Sequence, residues 1–159
     1  MKQLSSTVRT QISDYVTHYA QQTPEVEAVV CGGRRITYLE LEEQVCQCAK
    51  ALLAHGIDKG DRIAVLCTPK LEYWVLFLAT TRIGAVWLGL NPKYKLQETR
   101  YVLEDARPTL LFTLAKFEGR SYQDTVDAVN QDYSFIGEII ELPESVSRNK
   151  ATAQSLSGT

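Results

Sequence analysis

The segment 61–92 constrains the fold more than any other part of this sequence, because two uninterrupted apolar runs flank an apolar helical pattern. The run 63–67 has no polar residue to alternate with, which is typical of a strand buried on both faces of a parallel sheet. Residues 71–83 are apolar almost all round and predict a buried helix that ends at Gly84. The run 85–90 predicts a second such strand. Strand, helix and strand at this spacing predict a right-handed βαβ unit.

The helix is expected to start at Thr68 and Pro69, since threonine can cap a helix and proline in the first turn loses no hydrogen bond. Residues 73–90 also have the length of a membrane span. Arg82 lies near their middle, where inserting an arginine into the membrane costs about 2.5–3.5 kcal/mol. Gly84 also divides the segment. We therefore expect no membrane span.

Composition is that of a single globular domain. The 159 residues are 45% hydrophobic and 23% charged, and folding should bury about 70% of the extended-chain surface. A net charge of −2 gives no electrostatic reason to expect nucleic acid as a partner. The N-terminus has no apolar core of signal-peptide length, so we expect an intracellular, cytoplasmic protein.

The four cysteines, Cys31, Cys46, Cys48 and Cys67, fit that compartment as free thiols. Cys46 and Cys48 are two residues apart on a predicted helix, about 200° around it, so they cannot share a metal ion on one face. No cysteine has a histidine at metal-ligand spacing. We therefore expect buried thiols and no metal site.

Two elements are predicted before the central unit. Apolar residues at helical spacing predict an amphipathic helix over 6–21 that ends at Thr23-Pro24. Its apolar stripe is Val8, Ile12, Tyr15, Val16 and Tyr19. Residues 27–31 and 34–36 predict an antiparallel hairpin around Gly32-Gly33.

The clearest helix start is the capping box of Thr37 and Glu40, in which each side chain satisfies a backbone N–H of the other residue. The helix is expected to stop at Gly56. Its buried stripe is predicted to be Leu41, Val45, Cys48 and Leu52. Glu42 and Glu43 fall on the polar side, where we expect them to be solvated.

Four further segments follow the central unit. A helix is predicted over 96–105, with Tyr101, Val102 and Ala106 on its buried side. The remaining predictions are a parallel strand over 109–113, a helix that starts at Ser121 to Asp124 with Val126 and Val129 inward, and a strand over 136–142. Residues 1–143 are thus predicted to form a three-layer α/β domain with a mainly parallel sheet of about four strands, and residues 144–159 a polar linker or tail.

Charged and titratable residues have both a structural and a functional interpretation. Arg34 and Arg35 could bind phosphate, but on a hairpin edge they more often prevent pairing with another chain. Lys93, Lys95 and Arg100 are expected to form a solvated basic loop, and His18 and His55 to lie at helix peripheries. None of these residues is assigned a catalytic role.

No phosphate-binding, dinucleotide-binding, serine-hydrolase or zinc-protease motif is present. Open α/β sheets bind ligands beyond the carboxyl ends of their parallel strands, which here are Thr68, Asn91 and Thr113. These residues offer hydroxyls and an amide but no general base. From the residues alone, this is an α/β domain without a visible active site.

Three segments, 36–67, 72–94 and 98–113, resemble in their order and spacing the N-terminal part of adenylate-forming enzymes. The resemblance rests most on Thr37-Tyr38, Gly60-Asp61-Arg62, Gly84-Ala85 and Leu90-Asn91-Pro92. It implies activation of a carboxylic acid with Mg-ATP to an acyl-adenylate, usually followed by transfer to coenzyme A. Asn91 resembles the acyl-CoA synthetase branch, whereas Gly89 departs from the proline commoner in the family.

The family's phosphate loop, its adenine- and ribose-binding motifs and its catalytic lysine would lie beyond Thr159. The resemblance therefore implies no catalytic, cofactor-binding or metal-binding residue in this chain, while ATP, magnesium and coenzyme A would serve the parent enzyme. The implied partner is the missing C-terminal remainder, or a second copy that covers the exposed apolar surface.

Two alternatives stay open. The chain could be a stand-alone flavodoxin-like binding or interaction module, because fold does not fix function. It could also be a partial homologue that pairs with a complete synthetase.

Overall fold

The computed structural model describes residues 10–114, 116–117 and 120–142. In chain order the elements are α1 (Ser13–Gln22), β1 (Glu27–Cys31), β2 (Arg34–Thr37), α2 (Tyr38–Ala54), β3 (Arg62–Leu66), α3 (Leu71–Arg82), β4 (Val86–Leu90), α4 (Leu96–Ala106), β5 (Leu110–Thr113), β6 (Lys116–Phe117), β7 (Arg120–Ser121), α5 (Gln123–Asp132) and β8 (Glu138–Glu141). The predicted α/β class is confirmed. Val8 and residues 144–159 lie outside the described residues.

A four-stranded parallel sheet in the order β4-β3-β5-β8 forms the middle layer. Leu66 at the end of β3 is in register with Leu90 on one side and Thr113 on the other. The chain therefore leaves β3 in one direction to form β4 and returns past it to form β5. This reversal between β3 and β5 is the arrangement of an open, doubly wound sheet.

The two faces of the sheet carry separate helical layers. Ile63 and Val65 pack into the core formed with α1, α2 and α3, whereas Ala64 and Leu66 pack into the core formed with α4 and α5. All four side chains are at most 3% exposed. The uninterrupted apolar run of β3 is explained by this burial on both faces. None of the helices in the described residues combines the length and apolarity needed to cross a membrane.

The predicted hairpin and capping box are both confirmed. β1 and β2 are antiparallel, and Gly32 and Gly33 both have positive φ (56° and 78°), as a type I′ turn requires. The Thr37 hydroxyl accepts the Glu40 N–H at 3.2 Å, and the Glu40 carboxylate accepts the Thr37 N–H at 2.7 Å. The short hairpin of β6 and β7 was not predicted.

The predicted start of α3 is wrong. The N-cap is Lys70, which is extended at φ −134° and ψ 173° and has no capping side-chain hydrogen bond, so Thr68 and Pro69 stay outside the helix. A residue before proline is disfavoured in the helical region, which argues against a helical Thr68. The helix instead starts at Leu71, which is 3% exposed and anchored in the core. Its predicted end at Gly84, with φ 77°, agrees with the structure.

The predicted boundary and apolar stripe of α1 are partly wrong. The helix starts at Ser13, because the Asp14 carboxylate accepts the backbone N–H groups of Thr10 and Gln11 at 3.0 Å and holds that segment in a non-helical turn. Its buried residues are Ser13, Val16 and Ala20. The other apolar residues assigned to the stripe within the described part, namely Ile12, Tyr15 and Tyr19, are 42–53% exposed. Small residues face inward here because α1 covers a polar cluster described below.

The predicted buried side of α4 is also wrong in one residue. Tyr101 is 72% exposed, whereas Thr99 and Leu103 are buried and Val102 is half-buried. Residues 99 and 103 are one helical turn apart and define a narrower buried stripe than the sequence pattern indicated. In α5, Val129 is fully buried, as predicted.

Candidate functional site

The carboxyl ends of β3, β4 and β5 meet at one edge of the sheet, so Thr68, Asn91 and Thr113 follow neighbouring strands as predicted. Thr113 is 3% exposed and its hydroxyl donates to the Leu114 carbonyl at 3.2 Å. The Asn91 side-chain oxygen accepts the Lys93 N–H at 2.9 Å. The structure thus places these residues on one edge, but two of the three side chains are used in local hydrogen bonds.

Tyr122 connects this edge to α5, and sequence reasoning missed it. Its side chain is 2% exposed, and its hydroxyl donates to the Pro92 carbonyl. This hydrogen bond holds the loop after β4 against the start of α5. A tyrosine beside the predicted helix start at Ser121 was the only signal in the sequence, and it does not reveal a partner 30 residues away.

A cleft of about 350 Å³ opens between α5 and the carboxyl ends of β5 and β8. Its lining consists of Thr113, Leu114, Gln123, Val126, Asp127, Asn130, Ile139 and Glu141. Gln123 donates its amide to the Asp127 carboxylate at 2.8 Å. The lining contains two carboxylates and no histidine, lysine, arginine or cysteine, so it offers neither a nucleophile paired with a base nor a cation for an anionic ligand.

The cysteines are free, as expected, but the prediction that they are buried holds for Cys67 alone, since Cys31, Cys46 and Cys48 are half-buried. Burial raises the pKa of the Cys48 thiol to about 11. Burial also raises the pKa of Cys67, which lies at the end of β3 and is 3% exposed. Both side chains are therefore protonated, weakly nucleophilic thiols at neutral pH. In the part of the chain that the structure describes, no three histidine, cysteine or acidic residues are placed to hold a metal ion.

Arg82 and Glu42 form the most buried ion pair among the described residues, and the prediction that Glu42 is solvated is wrong. The guanidinium binds both carboxylate oxygens, at 2.7 and 3.1 Å, and the two side chains are 18% and 20% exposed. Arg82 also donates to the Thr17 hydroxyl, the Ser13 carbonyl and the Cys46 sulfur. We call these five residues the Arg82 cluster. It joins α1, α2 and α3 and has a structural explanation without any ligand.

The other arginines considered in the sequence analysis are each paired with a carboxylate. Arg34 pairs with Glu72, Arg35 with Glu27 at 2.6 Å, and Arg100 with Asp132 at 2.5 Å. His55 lies 3.1 Å from Glu138, and the ring of His18 packs edge-on against Tyr19. The arginine pairs agree with the structural interpretation of Arg34 and Arg35.

Comparison with known proteins identifies the family. The model of the family described as "AMP-binding enzyme" matches residues 16–155. The chain belongs to this family. The predicted resemblance to adenylate-forming enzymes is thereby confirmed, although it rested on individually weak motifs.

The curated relatives of this chain include two CoA ligases and tyrocidine synthase 3. The chain is 39% identical over 98 residues to a 3-hydroxybenzoate–CoA ligase of Aromatoleum sp. (strain CIB), covering 62% of this chain and 19% of that protein. It is 28% identical over 121 residues to a medium/long-chain-fatty-acid–CoA/3-oxocholest-4-en-26-oate–CoA ligase of Mycobacterium marinum, covering 76% and 21%. It is 37% identical over 102 residues to tyrocidine synthase 3 of Brevibacillus parabrevis, covering 64% and 2%.

Two solved structures illustrate the shared fold. The N-terminal domain of FACL13 from Mycobacterium tuberculosis matches with a TM-score of 0.75 and 25% identity, covering 84% of this chain and 34% of that chain. A fatty acyl CoA synthetase of the same organism matches with a TM-score of 0.74 and 26% identity, covering 83% and 26%. The chain thus spans about a fifth of the length of the curated CoA ligases above and about a third of the matched FACL13 domain.

Proposed function

We propose that this chain is the N-terminal portion of an ATP-dependent acyl-CoA synthetase, which converts a carboxylic acid to its acyl-adenylate and then to a CoA thioester. The match to the FACL13 N-terminal domain over 84% of this chain supports the proposal most strongly. Asn91, at the carboxyl end of β4, favours the CoA-ligase branch over the amino-acid-activating branch. The proposal names no particular acid, because relatives named for 3-hydroxybenzoate and for medium- and long-chain fatty acids both match this chain, at 39% and 28% identity.

The cleft beside α5 does not fit a polyphosphate ligand such as ATP. The cleft beside α5 is lined by the carboxylates of Asp127 and Glu141 without a cation, and a triphosphate would be repelled there. We propose that residues 1–143 are the N-terminal α/β subdomain, that 144–159 connect it to further sequence, and that the nucleotide-binding residues belong to that further sequence. On this proposal the 159-residue chain alone is catalytically inactive.

The first experiment is to read the source DNA beyond the codon for Thr159. The proposal expects the reading frame to continue into a Thr-, Ser- and Gly-rich loop that ends in Pro-Lys. The longer product should then exchange radiolabelled pyrophosphate into ATP in the presence of one of a panel of benzoic and fatty acids. A stop codon directly after Thr159 would overturn the proposal.

A second experiment uses the 159-residue chain itself. Calorimetric titration with Mg-ATP should give no binding heat, with the longer product as the positive control. Micromolar binding by the short chain would contradict its proposed inactivity. Copurification with a complete synthetase would instead favour the interpretation as a partial homologue.

Cytoplasmic location is also proposed, supported by the four free cysteines. Fractionation of the source cells with an antibody against the chain would test it.

A further inference from the structure

Strand β4 is an edge of the parallel sheet and has no neighbour on its outer side within the described residues. The Val86 N–H donates to the Asp61 carbonyl at 2.7 Å and therefore faces β3. Successive residues of a parallel strand direct their backbone groups to alternate sides. The N–H and C=O groups of Trp87 and Gly89 consequently face the open edge, where a further strand could bind them.

The two edges of the sheet differ in their protection against such pairing. Strand β8, at the other edge, has an exposed glutamate at each end, Glu138 and Glu141. Charged side chains of this kind are a common device against edge-to-edge association. Strand β4 has the sequence VWLGL, with no charge and no proline, and Val86 is 47% exposed. Among the described residues of this sheet, β4 is therefore the edge that lacks such charges.

An aromatic surface lies beside the open edge on the α3 face of the sheet. Trp87 packs edge-on against Tyr73 and Phe77, with ring centroids 4.9 and 5.5 Å apart. Trp74 stacks on Phe77 at 5.4 Å and is 38% exposed. Large aromatic side chains that are partly exposed next to unpaired backbone groups favour contact with another protein surface.

Trp87 and Gly89 are two residues apart and therefore lie on the same face of β4. A Cβ atom built on Gly89 would lie 3.3 Å from the Trp87 indole nitrogen and 3.4 Å from the Tyr73 hydroxyl, which places both positions on the α3 face. On this face the strand thus has a very large side chain at Trp87 and no side chain at the next position, Gly89. A twofold axis through Leu88 would put each Trp87 opposite the Gly89 of a second strand.

We propose that the β4 edge binds a second copy of this chain, with the two β4 strands antiparallel and Leu88 opposite Leu88. In this register Trp87 and Gly89 of the two copies form hydrogen-bonded pairs, with two N–H···O bonds in each pair. Each Trp87 indole lies beside Gly89 of its own strand, on the α3 face, so the two rings flank the paired backbones on that face. The four-stranded sheets join into one sheet of eight strands. The proposal does not depend on the catalytic function of the parent protein.

The helical layer is compatible with this dimer. Strands are about 4.8 Å apart, and α3 lies above β3 and β4, so the two α3 helices would be about 10 Å apart across the axis. This is the usual distance between packed helices, and the exposed side chain of Trp74 would fill the space.

The length of β4 and α3 gives an estimate of the contact area. Five strand residues and twelve helix residues each extend about 17–18 Å. A strip of that length and about 20 Å deep corresponds to on the order of 400 Å² per partner, half of the roughly 800 Å² of a standard interface. We therefore expect a weak dimer with a dissociation constant in the micromolar range.

Sedimentation velocity of the 159-residue chain from about 1 to 500 μM tests the proposal, with circular dichroism to verify folding. The chain should pass from monomer to dimer in this range. Gly89→Pro removes one outward N–H and requires a small shift of the Trp87 indole, whereas Val86→Lys adds a charge to the edge without that contact. Each should weaken dimerisation at least tenfold. Tyr101→Lys, the matched control on the exposed face of α4, should leave it unchanged.

Cross-linking tests the register directly. Opposed residues of a non-hydrogen-bonded antiparallel pair have Cα atoms about 4.5 Å apart, within disulfide range. Leu88→Cys should therefore form a covalent dimer when diamide accepts the two electrons and two protons of the thiols, whereas Val86→Cys and the unmodified chain should not. A chain that stays monomeric up to 500 μM, or a dimer that Gly89→Pro and Val86→Lys leave intact, would overturn the proposal.

Discussion

Replacing Arg82 by methionine should destabilise the fold strongly, because the Glu42 carboxylate would remain among helices without its guanidinium. Removing one partner of a buried ion pair costs about 3–5 kcal/mol. Both side chains keep about a fifth of their surface exposed, at 18% and 20%. Water can therefore solvate the remaining charge in part, and we expect the lower limit, about 3 kcal/mol. The Glu42→Leu variant should lose a similar amount, since Arg82 would then lack its anion.

The pair Arg82→Met and Glu42→Leu closes a double-mutant cycle. An apolar pair of similar volume leaves no unpaired charge, so the double variant should be more stable than the sum of the single changes predicts, by about 2–3 kcal/mol. Urea unfolding measures this directly. With an m-value of about 2 kcal/mol per M, each single variant should unfold at a midpoint about 1.5 M lower.

The matched control is Arg35→Met. Arg35 and Glu27 form an ion pair whose side chains are 63% and 52% exposed. Exposed pairs contribute about 0–1 kcal/mol, so the midpoint should hardly change. If the two single changes in the Arg82 cluster were small and additive, the ion pair would not hold the three helices together, and the reasoning from its burial would be refuted.

Two further predictions concern the helix cap and the thiols. Thr37→Ala removes the acceptor of the Glu40 N–H and should cost about 1 kcal/mol in urea unfolding, whereas Thr23→Ala, which removes an exposed hydroxyl at the end of α1, should cost much less. Burial raises the pKa of Cys48 from 9.0 to about 11, so the folded state retains a proton that the unfolded state loses. The free energy of unfolding is therefore not reduced by this thiol below pH 9, and it decreases as the pH rises towards 11. Between pH 8 and 10.5 the chain should lose on the order of 1–2 kcal/mol more than a Cys48→Ala variant, and equal losses would contradict this assignment.

The middle of the fold could be predicted because its signals are local. The run 63–67 is apolar on both faces, and the capping box of Thr37 spans four residues, so each pattern indicates its structure without reference to distant residues. The polar exceptions could not be predicted in this way. Glu42 is half-buried because Arg82 lies forty positions further along the chain, and α1 exposes Tyr15 and Tyr19 because its inner face covers that pair.

The candidate site was predictable only in outline. The parallel topology places Thr68, Asn91 and Thr113 on one edge, as expected from the chain order of the strands. The cleft lies one strand further along, between β5, β8 and α5, and its position depends on how α5 packs. The hydrogen bond from Tyr122 to the Pro92 carbonyl joins two segments that no periodic pattern relates.

The two helical layers also imply an order of assembly during synthesis. Every residue of the Arg82 cluster lies between positions 13 and 82, and β3 and β4 are complete at Leu90. The layer of α1, α2 and α3 can therefore close on the first two strands of the sheet while α4 and α5 are still inside the ribosome. The second layer would then add to a surface that already exists, so that the fold grows outward from its N-terminal half as the polypeptide emerges.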